Sequence, residues 1–146
     1  MVPLGQIGAA VTEYRRLWEI DPKDLTVALR LGELQLSQDD PVGGVEWFER
    51  ALQIDSSSTS ANEGMVRAHL MARDTLAARW ALERWTEFAP DTSARIWFSR
   101  SALWEQAGDL EQARIQCEMG LAYAPASVDG WLRLARIQQL SGAEAT

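Results

Sequence analysis

Apolar positions along this chain recur at helical spacing, and no stretch shows the alternation of a strand. Between residues 25 and 37, Ala28, Leu31, Gly32 and Gln35 fall on one stripe at i, i+3, i+4 and i+7, which predicts an amphipathic helix. From 42 to 54 the same logic returns with Val45, Phe48, Ala51 and Leu52. Between the two, Asp40 followed by Pro41 is a helix start: a side-chain acceptor at the cap, then a residue whose φ is already helical. Asp74 and Asp109 predict equivalent caps, and Ser60 with Glu63 has the spacing of a capping box.

The pattern repeats. Four short strings close the apolar stretches: Glu19-Ile20-Asp21-Pro22, Gln53-Ile54-Asp55-Ser56, Glu87-Phe88-Ala89-Pro90 and Ala122-Tyr123-Ala124-Pro125. Their last members lie 34, 34 and 35 residues apart. Prolines 22, 90 and 125 are expected to end helices, since proline cannot continue one. In phase with the strings run a small residue (Ala10, Gly44, Ala78, Ala113) and, four further on, a bulkier one (Tyr14, Phe48, Leu82, Cys117). A third register is Asp40, Asp74 and Asp109. Turns between first and second helices are expected at Gly5, Asp39, Arg73, Gly108 and Gly142.

These residues resemble the tetratricopeptide repeat. Leu31-Gly32, Phe48, Ala51 and Leu52 fit its pattern in one unit; Trp97, Trp104, Gly108, Ala113, Leu121 and Pro125 fit in another; Trp131 and Leu134 open the next. The departures are Trp85 where the pattern prefers alanine, Val66 and Ser101 for glycine, and Ser56 for proline. The resemblance implies an all-α fold, a right-handed solenoid of antiparallel helix pairs with about eight helices. It divides the chain into a second helix of a partial repeat (5–24), repeats at 25–58, 59–93 and 94–127, and the first helix of a further repeat (128–142). Trp131, Leu134 and Ile137 make that last helix apolar where a free-standing array would be capped by a polar one, so the expectation is a segment of a longer array, or ends that dock on something.

Composition narrows the use of such a fold. With 146 residues, 47% apolar, the chain has enough material for an ordinary packed core without metals or disulfides. The formal net charge of −7 excludes an electrostatic grip on nucleic acid, and arginines 67, 95, 133 and 136 are interleaved with Glu63, Glu105 and Asp129 on the same helices. No apolar run approaches the roughly 18 residues of a membrane helix, so membrane insertion is not expected. The first residues carry no signal-peptide pattern, which leaves the compartment unassigned with the cytoplasm favoured.

Candidate chemistry is sparse. The single histidine, His69, lies on the side of its helix facing the partner helix and reads as a buried structural residue; alone it cannot build a triad or a zinc site. Cys117 occupies the slot of Phe48 and reads as a small core residue. Gly43-Gly44 sits inside a helical pattern without the lysine of a phosphate loop, and Asp39-Asp40 and Asp109-Glu111 are explained by helix N-termini. No catalytic, cofactor-binding or metal-binding residues are assigned, and an enzyme is not expected.

The remaining expectation is a groove for a protein or peptide. The resemblance places first helices on the concave side, and one step round from the core stripe they present Thr26, Leu29, Glu33 and Leu36; Ser60, Glu63, Arg67 and Leu70; Arg95, Phe98, Ala102 and Glu105; and Asp129, Leu132, Arg136 and Gln139. Leu29, Leu36, Leu70, Phe98 and Leu132 are apolar on what should be a wetted face, which suits an amphipathic helix or extended segment. A charge at Phe98 is expected to abolish binding without unfolding. The lysine- and asparagine-based carboxylate clamp found in this family is not matched, since its places hold Leu29, Glu33, Gly64, Arg95 and Ser99. Trp47 and Trp80 are expected on the outer face of second helices, partly buried between neighbours. The alternative use is a structural spacer that self-associates through its apolar ends.

Overall fold

The computed structural model describes residues 4–88 and 93–145, and these hold eight helices and no strand. In chain order they are α1 (Leu4–Ile20), α2 (Leu25–Ser37), α3 (Pro41–Ile54), α4 (Thr59–Met71), α5 (Thr75–Phe88), α6 (Ala94–Gln106), α7 (Leu110–Tyr123) and α8 (Val128–Ala145). Each helix packs on its neighbour in sequence, and the alternate helices α2, α4 and α6 also touch one another. The result is an all-α solenoid. The last string proline before α6, Pro90, lies outside the described residues.

Local chemistry sets the helix ends. Asp40, Asp74 and Asp109 each accept a hydrogen bond from the backbone N–H three residues on, at 3.0 Å, satisfying a donor that the helix leaves orphaned. Asp24 caps α2 in the same way through Val27. The cap of α4 is Ser58, which accepts from Ala61 N–H at 3.2 Å; the expected Ser60–Glu63 box is not formed because Ser60 lies inside the helix and Glu63 reaches Arg95 instead. The three internal hairpins turn on Asp39 (φ 60°), Arg73 (φ 61°) and Gly108 (φ 86°), a left-handed residue at each expected place. Gly5 and Gly142 do not turn: both lie inside helices, and α8 runs through Gly142 to Ala145.

Two apolar cores follow. In the first, Phe48 of α3 is fully buried with its ring between α2 and α4. A Cβ on Gly32 would sit 2.7 Å from that ring and one on Gly64 2.5 Å, so both positions tolerate only hydrogen. In the second, Ala113, Cys117 and Leu121 of α7 meet Leu134 and Ile137 of α8. Cys117 holds the register of Phe48 and is buried as expected, but it is far smaller. The aromatic volume comes instead from Phe98 on α6, whose ring lies 2.5 Å from a Cβ built on Gly120 and 2.6 Å from one on Gly130. Trp85, the largest departure from the repeat pattern, is fully buried in the first core.

Candidate functional site

Helices α4, α6 and α8 open onto one groove of about 760 Å³. Its apolar parts are Val66, Leu70, Phe98, Ala102 and Leu132; its charged parts are Glu63, Arg67, Arg95, Asp129, Arg133 and Arg136. Each of the four guanidiniums is paired with a carboxylate, Glu33, Glu63 or Glu105, and Asp129 brings the carboxylates along this face to four as well. Leu132 is 64% exposed, an apolar side chain held in water by a rigid helix.

Inter-helix ion pairs run along this face. Glu33 of α2 accepts from Arg67 of α4, Glu63 of α4 from Arg95 of α6 at 2.6 Å, and Glu105 of α6 from both Arg133 (3.3 Å) and Arg136 (2.6 Å) of α8. The first two are open to solvent and stabilise by roughly 0–1 kcal/mol. Their use is positional: each locks a long side chain across the step between repeats. Glu105 differs, since its side chain is only 14% exposed and one carboxylate faces two guanidiniums.

Of the positions expected in the groove, Glu63, Arg67, Leu70, Arg95, Phe98, Ala102, Asp129, Leu132 and Arg136 line it. The α2 contribution does not. Leu36 is buried against Gly44 of α3 and belongs to the first core, which corrects its placement on the wetted face. Leu29 is half-buried against the same core, Thr26 is exposed on α2 away from the groove, and Glu33 enters only through Arg67. Glu105 stands behind the lining as the anchor of Arg133 and Arg136. Phe98 is groove floor and core packing at once, so a charge there would disturb α7 and α8 as well as the groove.

Sequence reasoning missed Arg133 as a lining residue. The signal was present, because Arg133 precedes Arg136 by three positions and therefore shares its helix face. Away from the groove, Trp47 is buried edge-on against Trp18 at 5.3 Å, whereas Trp80 is 52% exposed with Arg84 over its ring. His69 is half-buried rather than buried. Cys117 donates to the Gly130 carbonyl at 3.3 Å, and burial pushes its thiol pKa up, the opposite of what a reactive cysteine needs. Among the described residues no three His, Cys, Asp or Glu side chains gather as a metal site, and no helix is long and apolar enough to cross a membrane.

No protein-family profile matches the chain. It is 29% identical over 111 residues, 76% of its length, to anaphase-promoting complex subunit 7 of Dictyostelium discoideum, and spans 19% of that protein. Among solved structures it resembles a tetratricopeptide-repeat protein of Thermus thermophilus, with a TM-score of 0.81 at 16% identity over 93% of this chain and 75% of the other. It also resembles the first TPR of Spaghetti (RPAP3) bound to an HSP90 peptide, with a TM-score of 0.67 at 15% identity over 84% of this chain and 96% of that domain. At these identities the shared property is the fold.

Proposed function

We propose, from the tetratricopeptide-repeat fold that this chain carries, that it is a non-enzymatic scaffold holding a segment of a partner protein in the groove of α4, α6 and α8. The repeats act in this reading as units 25–58, 59–93 and 94–127, flanked by the half units 5–24 and 128–142. The observation that carries it is the groove itself: exposed Leu132 and half-buried Leu70 and Phe98 set between four arginines held in place by ion pairs. Such a surface favours a segment with apolar anchors, because each Leu-sized contact removed from water stabilises by roughly 1.5–3 kcal/mol, and the paired charges of both signs around them fix its polar positions. The peptide-bound neighbour supports the class of ligand.

A peptide-display selection tests this, counter-screened with a Leu132→Glu, Ala102→Arg double variant. Both side chains line the groove outside the buried cores, so the variant should keep its helical circular dichroism. Peptides with apolar anchors that bind the wild type and lose the variant are the expected outcome. Hits that ignore the variant, or a selection that returns none, overturn the groove reading.

A further inference from the structure

The step from α5 to α7 is closed differently from the steps before it. Between α1 and α3, Trp18 and Trp47 meet edge-on at 5.3 Å. The same two register positions hold Leu52 and Ala81 at the next step, both buried. From α5 to α7 they hold Thr86 and Gln116, an exposed hydroxyl residue and a half-buried amide. A third exchange falls at the same place. Arg100 of α6 stands in the register of Leu31, Met65 and Leu134, which are buried in α2, α4 and α8. These three polar side chains line one cleft of about 530 Å³ over a floor of Leu82, Leu103 and Trp104. A sequence that breaks its own apolar pattern three times around one cavity gives up packing there, and such places are where function is expected.

Arg100 is half-buried, and among the described residues no carboxylate pairs with it. Its guanidinium lies over the Trp97 ring, 5.1 Å from the centroid, and one N–H donates to Thr86 Oγ1 at 3.2 Å. A guanidinium stacked on a ring keeps its in-plane donors available, and their fork matches a carboxylate. Arg79, Glu83 and Glu87 also line the cleft, but from the exposed side of α5, where water weakens the pull or push of a charge. We propose that this cleft binds a carboxylate carried on an apolar body. The carboxylate accepts from Arg100 and from the Gln116 amide, and the apolar part lies on Leu103 and Trp104. The groove is lined by α4, α6 and α8, so this site stands independently of the peptide reading.

Titration of the isotope-labelled chain with phenylpropionate tests it, followed by NMR at the Trp104 indole N–H and the Gln116 side-chain amide. Saturable shifts are expected, and phenylpropionamide and phenylpropylamine, which keep the ring without the carboxylate, should cause none. Arg100→Met restores the apolar register, so it should melt no lower than wild type and bind phenylpropionate roughly tenfold more weakly or worse. Where that variant fails to fold, Gln116→Trp replaces it, filling the cleft with the residue that α3 carries at this position, and should abolish binding. A blocked Phe-Glu dipeptide separates two sources of the carboxylate. Tighter binding than phenylpropionate assigns it to a side chain of a partner protein, weaker binding to a small molecule, and both outcomes keep the site. An absence of shifts up to the solubility limit would overturn the proposal, as would binding of the amide or the amine as tightly as the acid. A folded Arg100→Met that still binds, or that melts well below wild type, would overturn it equally.

Discussion

The units around α2–α3–α4 and α6–α7–α8 have the same helix order and nearly the same period, yet they fill their centres from opposite sides. In the first, the second-type helix supplies the aromatic, Phe48, and the two flanking first-type helices make room for it with Gly32 and Gly64. In the second, the corresponding residue has shrunk to Cys117, and the aromatic comes from the first-type helix as Phe98, with Gly120 and Gly130 making the room. The ring thus comes from a different helix in each unit and sits against different neighbours, Gly32 and Gly64 in one and Gly120 and Gly130 in the other, so each core is closed by its own arrangement. The exchange has a functional cost and a functional use. Phe48 is sealed, but Phe98 enters from the groove side, so the second unit's core is also the floor of the binding surface.

The comparison can be broken most directly by truncating the two rings. Phe48→Ala should cost about 3–5 kcal/mol in urea denaturation, the range for a fully buried aromatic that leaves a cavity. Phe98→Ala should cost less than half of that, since its ring is already partly in water and the space it leaves opens to the groove. Equal losses would mean that the two rings are equivalent and the contrast is empty.

The glycines sharpen it next. Gly64→Ala drives a methyl to 2.5 Å from a ring sealed on all sides, and should cost about 1–3 kcal/mol. Gly130→Ala meets Phe98 at 2.6 Å, but that ring can swing toward the groove, so thermal unfolding should register a smaller loss. If Gly130→Ala proves the costlier, Phe98 is held more rigidly than its exposure suggests.

The smallest effect concerns Cys117. Burial raises its thiol pKa, so as pH climbs past the ordinary thiol range the unfolded chain ionises before the folded one. The unfolded state then binds fewer protons than the native state, and stability falls with rising pH. Cys117→Ala should flatten that slope between pH 8 and 10 (roughly the span above an unperturbed thiol) in denaturation curves. The wild-type thiol should react with an alkylating reagent at neutral pH only as fast as the chain opens. Reaction at the rate of a free thiol would contradict the burial of this core.

Much of the architecture was legible before any coordinates. The caps at Asp40, Asp74 and Asp109 and the turns at Asp39, Arg73 and Gly108 are events within three or four residues, and local sequence specifies them. Helix faces were legible for the same reason, since the 3.6-residue period assigns each side chain a direction from its own helix alone. The candidate groove was legible only in part. Nine of its expected positions line one cavity, while Leu36 is buried against Gly44 of α3 and Leu29 is half-buried against the first core. On the outer face, Trp47 is covered by Trp18 of a helix almost thirty residues earlier.

Periodicity and capping chemistry thus determined that this chain is a run of helical hairpins, where each hairpin turns and which stripe of each helix seeks burial. Tertiary packing alone decided that Phe98 would pack against Gly120 and Gly130, that Arg133 and Arg136 would share Glu105, and that the groove would begin at α4 rather than α2. The division follows the range of the forces. A cap or a turn is satisfied by atoms a few bonds away, whereas the filling of a core depends on volumes contributed by residues one repeat apart, which have no local signature.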